Sequence, residues 1–493
     1  MSLRFLVLVL SAAAFAVALL TGPPSFDSTD GAEFAVAGSQ LQIAHAPGYP
    51  LFLIAVRLTS IVTSPLYGHL RLFNCLMGAL LIPIAARAFS SKPRISPSSV
   101  YSAVLFVFAS PVMAQLNSLE VYPLAMVLTL GAIALKHSSL APYATGMALF
   151  GGHPGSFLCA PLMVSGDFWK KPVVITFIIP LTLYLYIPLR AGLSGVAHYG
   201  HPSGFHELAG YFTMYAGRLS IPSFSRLLQA LSFIGPVTGV VFLVLALKAG
   251  RQSPRIDIPA ILAILFLASY ELPDPAGQLW ILLIPLCIRC ARGVDSFLAA
   301  GKPVSLVLLL LLLLSMFLGI RSSDRRTDDI AMRWTSDVMT RLPAGSVFRP
   351  AAHEVFYAAY SQRILGIRQD VILSDPFGNY FELMIPPPVS PFIGNRPVIV
   401  SRGWERKEDF KLRGLVFIPL AGILQEPDWE NMNLFNFTGT SPDPMALDIV
   451  AEAWARRMIQ TEDPIQRDSF SRLAEGFSAT PITRSRIETL RGL

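Results

Sequence analysis

Residues 303–320 read PVSLVLLLLLLLSMFLGI, an apolar run closed by Lys302 in front and Arg321 behind. No charge interrupts it, and its length approaches the roughly 20 residues that cross the hydrocarbon of a bilayer. Working outward from it, further apolar runs lie near 4–21, 71–88, 100–116, 121–135, 140–152, 155–166, 172–189, 232–248, 256–272 and 278–291. Together they predict a mainly α, polytopic membrane protein of about 11 transmembrane helices. The pair across 140–166 is short on both sides of Gly151, Gly152, Pro154 and Gly155, so it reads as two short helices or one broken one. Composition agrees: 53% of the 493 residues are hydrophobic and 14% charged, against about 25% charged in an average soluble domain. That balance excludes a soluble globule, a disordered chain, a collagen, a coiled coil and a secreted disulfide scaffold.

The net charge of +7 does not point to nucleic acid. Arg4 followed by an apolar run fits a first span or a signal peptide, though it is long for the latter and lacks a small-x-small cleavage site. Either way residue 22 emerges outside. Arg87, Lys92, Arg94, Lys136, Lys170, Lys171, Lys248, Arg251, Arg255, Arg289, Arg292 and Lys302 then fall on inner loops. The outer loops up to residue 320 carry only Arg57, Arg71, Arg190, Arg218 and Arg226, as the positive-inside rule requires. Residues 1–320 thus form a membrane domain with long outer loops 22–70 and 190–231, and 321–493 a soluble tail outside the cytoplasm. The four cysteines, Cys75, Cys159, Cys287 and Cys290, sit in or beside apolar runs and read as small apolar residues.

The same topology gathers polar residues. Asp27, Asp30, Glu33, His45, Asn117, Glu120, His153, Arg190, His198, His201, Glu271 and Asp274 all lie near outer span ends, and of the eight histidines only His137 falls inside. Carboxylates at membrane depth cost about 2.5–3.5 kcal/mol on insertion scales and usually mark a functional cavity; the bland alternative is that outer loops are simply polar. Asp30 and Glu33 share a helical face at i,i+3, or else form an N-cap with its capping box. His45 to Pro50 is a breaker cluster, and Leu51–Val62 fits an amphipathic helix at the interface. Residues 117–122 form a tight outer turn. His198, His201 and His206 have metal-like spacing, but without a nearby carboxylate or cysteine set they better suit hydrogen bonding to a sugar or phosphate, and His206 a solvated loop. No metal ligand is assigned, and a divalent cation stays the lesser option. In the tail, Val347–Phe356 and Asp370–Leu373 read as strand and turn, Pro386–Pro388 as a rigid break, and 444–476 and 482–491 as helices, with Ala451, Trp454 and Met458 on one face. This predicts a small α/β domain with a helical end.

The chain has no Walker loop, Rossmann fingerprint, HExxH or GxSxG. A site facing away from cytoplasmic nucleotides most naturally draws on a lipid-borne activated group. Sugar transfer from a polyprenyl phosphate needs a carboxylate to take the acceptor's proton and cations to hold the leaving phosphate. Asp30 or Glu33 suits the first task and Arg190 the second.

At these residues the sequence resembles a known family. Asp30-Gly-Ala-Glu33-Phe34 and Leu41-Gln-Ile-Ala-His45-Ala-Pro-Gly-Tyr-Pro-Leu51 resemble the D-x-G-E-F … L-x-I-A-H-P-P-G-Y-P-L signature of the DUF2723 family, a branch of the GT-C superfamily with a eukaryotic protein O-mannosyltransferase among its members. Glu120-Val-Tyr-Pro-Leu is similar to its E-V-Y-x-L turn, and His153 falls at its N-H position. Tyr184-Leu-Tyr-Ile-Pro-Leu-Arg190 resembles Y-L-Y-L-P-L-R, and Tyr199-Gly-His-Pro202 resembles W-G-x-P. Phe356–Val371, with Gln362, Gly366, Arg368 and Asp370, resembles F-x-x-x-Y-x-Q-x-x-x-G-x-R-P-D-V. Ala46, Gly152, Tyr199 and Gln369 depart from the pattern. The resemblance covers about residues 26–375. It implies a GT-C-like bundle and an inverting, lipid-linked-sugar-dependent glycosyltransferase with an acidic residue of the first outer loop as its base. By position this falls on Asp30 or Glu33, which the sequence does not separate; Asp30 is favoured as the base with Glu33 orienting the acceptor, and Asp27 is a third candidate. His45, Glu120, His153, Arg190, His198, His201 and Asp274 are the expected substrate-binding residues. The expected partners are a polyprenyl-phosphate sugar, a protein, lipid or glycan acceptor and membrane lipid, with no cofactor, in a bacterial inner membrane. The rivals are a transporter or lipid flippase, which predicts inverted repeats that the sequence lacks, and a catalytically silent envelope scaffold.

Overall fold

The computed structural model describes residues 2–27, 30–165, 178, 180–191, 202, 204–213, 218–250, 252–271, 276–351, 353–375, 390–401, 410–413, 415–420, 432–437, 444–461, 463–478, 483–484 and 487–488. Helices dominate them. Leu3–Leu20 starts at Ser2, whose hydroxyl accepts the Phe5 amide at 3.3 Å. Its last carbonyls would face a low-dielectric region unpaired, and Arg71 satisfies them: Nη1 donates to Ala18 O at 2.8 Å and Nη2 to Leu19 O at 3.0 Å. The same Nη1 reaches Asn117 O at 3.1 Å, while Asn117 Nδ2 donates to Ser323 O at 2.5 Å and Thr21 O at 3.3 Å. One polar knot therefore ties the ends of the first and last long helices to the turn at 117, all positions expected on the outer side.

Among the described residues, three helices are long and apolar enough to cross a membrane: Leu3–Leu20, Tyr67–Phe89 and Pro303–Ser322. Two bent pairs raise this to five: Pro97–Val107 with Ser110–Leu116 at 68°, and Phe224–Ser232 with Pro236–Lys248 at 107°. The other expected spans are shorter helices, such as Tyr122–Leu135 and Pro254–Ser269, or more polar ones, such as Trp280–Leu298 with its Arg289 and Arg292. Residues 172–177 and 179 of the expected 172–189 span lie outside the described residues. The 140–166 pair is broken at Gly152-His153, between a π-helical Met147–Gly151 and a 3₁₀ Pro154–Cys159. Leu306, Leu309, Leu310 and Leu313 project outward, as on a lipid-facing helix. Gly319 and Gly293 sit where a Cβ would collide with the carbonyls of Phe108 and Leu245, so small residues set these crossings.

The stretch read as the first outer loop folds as Gly31–Gln40 and Pro50–Val62, packed where Gly38 admits Val56. Leu58, Ile61 and Val62 are exposed at the end of the second helix. In the tail, β1 (Val347–Arg349), β2 (Ile372–Leu373), β4 (Arg396–Val400), β5 (Phe410–Arg413) and β6 (Val416–Pro419) form a sheet in the order β2-β1-β4-β6-β5, and β3 (Phe392–Ile393) pairs β4. β1 runs parallel to β2 and β4; β6 runs antiparallel to β4 and β5. The stretch read as strand to Phe356 ends sooner, because Glu354–Arg363 is a helix. The 444–476 helix is two, Pro444–Gln460 and Pro464–Phe477, broken by Pro464 with Asp463 as N-cap. Pro386–Pro388 lies outside the described residues.

The loop and the tail share one apolar core: Phe26, Phe34, Phe52 and Tyr67 from the loop pack with Ile330, Trp334, Tyr357 and Tyr360 from the tail. Tyr360 Oη accepts the Tyr67 amide at 2.9 Å.

Candidate active site

Asp30 occupies the N-cap position of Gly31–Gln40, yet its carboxylate makes no cap hydrogen bond. The capping-box alternative therefore fails, and the side chain, 33% exposed, faces two imidazoles instead. His45 Nε2 lies 3.7 Å from Oδ2 and His353 Nδ1 lies 3.6 Å from Oδ1. Glu33, one turn on, is fully buried; Oε1 accepts the His45 backbone N–H at 2.6 Å and Oε2 meets His45 Nδ1 at 2.7 Å. Both of its oxygens thus meet His45, the residue the sequence reading left apart from it.

The breaker cluster brings His45 back over the helix. Leu41 ends Gly31–Gln40 in the left-handed region, Gly48 and Tyr49 also have positive φ, and Ala46–Pro47 is cis. A Cβ on Gly48 would meet Ile187 Cδ1 and Tyr211 Oη at 2.8 Å. Three side chains hold the turn's carbonyls: Tyr211 Oη donates to Ala44 O, Tyr186 Oη to Gln42 O and Arg190 Nε to Leu41 O, each at 2.6 Å. Arg190 Nη2 also reaches Gln40 O at 3.1 Å. The residue expected to hold phosphate thus puts two of its donors into fastening the loop, because they meet the unpaired carbonyls at a helix C-terminus.

Burial disfavours protonation of His45, but the charges of Glu33 and Asp30 and the Glu33 hydrogen bond outweigh it, against opposition from Arg218, and push the imidazole up to about 9. Burial raises the Glu33 carboxyl, and His45 pulls it back. His45 is therefore an imidazolium at neutral pH. Arg218, read from sequence only as a topology charge, acts on it as a second cation. Among the described residues, Asp30, Glu33 and His45 offer ligand atoms within 4.8 Å of one another, a donor set that could hold a divalent cation.

His153 forms a wall of the site. Its Nδ1 accepts the Gly155 amide at 3.0 Å, and its ring stacks on Tyr49 with centroids 6.0 Å apart and meets Tyr122 at 5.1 Å. Burial, and then the His45 charge, lower its imidazole and keep it neutral. Glu120 is buried beside Tyr122, whose hydroxyl accepts Gln278 Nε2 at 3.0 Å. Asp27, the third candidate base, is corrected to a structural role: fully buried, it pairs with Arg325 at 2.8 Å and receives the Tyr67 hydroxyl at 3.4 Å. Glu271 pairs with Arg226 at 2.6 Å, and His206 is exposed. His198, His201 and Asp274 lie outside the described residues. The residue that sequence reasoning missed is His353. Its only signal was its place three residues before the Phe356–Val371 motif, and no local pattern ties it to a site 300 positions away.

Residues 30–138 match the family model described as Protein O-mannosyl-transferase TMEM260 N-terminal domain, so the match starts at Asp30 and carries Glu33, His45 and Glu120. No curated protein sequence matches the chain. Among solved structures, ArnT from Cupriavidus metallidurans bound to undecaprenyl phosphate is similar with a TM-score of 0.54 at 13% identity, over 75% of this chain and 85% of that one. The apo state of the same protein gives 0.51 at 13% identity, over the same shares. The chain shares the fold of ArnT, and its residues 30–138 are similar to an O-mannosyltransferase domain.

Proposed function

We propose that this protein is an integral-membrane, inverting glycosyltransferase that moves a sugar from a polyprenyl-phosphate donor to a hydroxyl acceptor on the outer side of the membrane. The observation that carries this reading is the Asp30 carboxylate, which is partly exposed, unused as a cap and flanked by two imidazoles. The fold likeness to a protein crystallised with undecaprenyl phosphate supports the donor class. The O-mannosyltransferase domain match supports a hydroxyl acceptor.

In this reading Asp30 takes the proton of the acceptor hydroxyl as its oxygen attacks the anomeric carbon from the face opposite the phosphate. The His45 imidazolium, held by Glu33, and Arg218 supply positive charge for the leaving phosphate. Arg190 and Tyr211 keep the loop in place, and His153 with Tyr49 and Tyr122 forms an aromatic wall that suits a sugar ring. The topology of about 11 spans with the tail outside, the division at residue 320 and the bacterial inner membrane belong to the same proposal.

The test uses the purified full chain in nanodiscs with undecaprenyl-phosphate mannose first, then other hexoses, and a serine/threonine peptide. Asp30→Asn should lower transfer by about 10²-fold or more with donor binding retained, and Glu33→Gln should lower it less. Full activity in both variants would sink the assignment. Loss of wild-type activity on chelation, restored by one divalent ion, would add a cation at Asp30, Glu33 and His45. Movement of the intact donor across the bilayer with no covalent product would favour the flippase.

A further inference from the structure

The tail lends a side chain to the loop's site. Glu354–Arg363 packs its N-terminal end against Gly31–Gln40, and His353, at its N-cap position, brings Nδ1 to 3.6 Å from Asp30 Oδ1. The docking is fixed by the Tyr67–Tyr360 hydrogen bond and by Phe26, whose ring lies 5.5 Å from Tyr357 and 4.9 Å from Tyr360. The His353 Nδ1 atom is buried and has no hydrogen-bond partner among the described residues, while the side chain as a whole stays 31% exposed. One nitrogen is thus enclosed against the carboxylate and the ring has a route to solvent.

Asp30 has two imidazole neighbours, and they are not equivalent. His45 donates through Nδ1 to Glu33 and is already an imidazolium, so it has no lone pair to offer. His353 in its Nε2–H form presents a free lone pair on Nδ1.

We propose that His353 is the proton-relay residue of the site, supplied by the tail: it takes the acceptor's proton from Asp30 and passes it to solvent. The inference rests on the glycosyltransferase reading. In the step, the acceptor oxygen forms its bond to the anomeric carbon and its proton goes to Asp30. The anomeric carbon–phosphate oxygen bond breaks, and its electron pair leaves on the polyprenyl phosphate. The proton then moves from Asp30 to His353 Nδ1, which returns Asp30 to its carboxylate; the Nε2 proton is released to water, and proton exchange of the ring with water restores the Nε2–H form for the next turnover.

The test compares His353→Ala, His353→Asn and Asp30→Asn in the full chain, with undecaprenyl-phosphate mannose and the peptide as probes, and with donor KM and melting temperature measured alongside kcat. His353→Ala should lower kcat by about 10- to 100-fold at unchanged donor KM, and added imidazole should restore part of it. Asparagine reproduces the Nδ1 position as a donor but cannot relay, so His353→Asn should fold as the wild type and stay slow. Wild-type kcat in His353→Ala, or a loss that imidazole does not restore, overturns the inference while the Asp30 assignment stands. An active Asp30→Asn instead overturns the underlying reading.

Discussion

Glu33 and His45 form a buried pair whose charges decide the site's response to pH. His45 is raised to about 9 from the ordinary histidine value of 6.5. A raised histidine contributes stability that is fully present below its unfolded value and is lost as pH rises through its folded one. Loop stability and the positive charge offered to the leaving phosphate should therefore both decline between roughly pH 6.5 and 9. Glu33→Gln removes the leading charge that holds the proton, so the alkaline limb of kcat against pH should move to lower pH. A limb at the same pH in wild type and Glu33→Gln would remove His45 from the mechanism. A second expectation concerns Gly48. With φ at +86° and no room for a Cβ between Ile187 and Tyr211, Gly48→Ala should cost about 1–3 kcal/mol. It should displace His45 as well, seen as a lower melting temperature and reduced kcat.

At the scale of elements, the loop is tied to the start of the tail by Asp27 and Arg325, a buried pair at 2.8 Å. Removing one partner of such a pair leaves an unpaired buried charge and costs about 3–5 kcal/mol, whereas replacing both with neutral groups of similar size is far milder. Arg325→Met should therefore lower the melting temperature in nanodiscs strongly, and adding Asp27→Asn should recover part of the loss. Equal melting of the single and double variants would mean the pair does not tie loop to tail. Much of this level was legible in the sequence. The spacing of Asp30 and Glu33, the breaker cluster at 45–50 and the apolar helix after it all follow from local chemistry. What local chemistry does not contain is pairing across the chain. Asp27 looks as available as Asp30 until Arg325 is seen against it, and Arg190 looks like a phosphate ligand until the carbonyls of Leu41 and Gln40 are found beneath it. His353 enters the site only because two cores that are separate in sequence fuse into one.

For the whole molecule, sidedness is the property on which the site depends. Arg71, Asn117, Thr21 and Ser323 are knotted at one end of the bundle. At the positions read as inner, the charges of Arg255, Arg87 and Arg292 converge on Lys136, so the basic residues gather in space as well as in sequence. The four cysteines, Cys75, Cys159, Cys287 and Cys290, are all buried, which leaves a quiet background for labelling. Single cysteines at His206, Glu271 and Arg326 should react with a membrane-impermeant maleimide in intact cells. Those at Lys92 and Arg255, both exposed, should react only after permeabilisation. Labelling of cysteines at both Arg326 and Arg255 only after permeabilisation would place the tail in the cytoplasm. His353 and Asp30 would then meet a compartment supplied with nucleotide sugars, and the case for a lipid-borne donor would lose its physical ground.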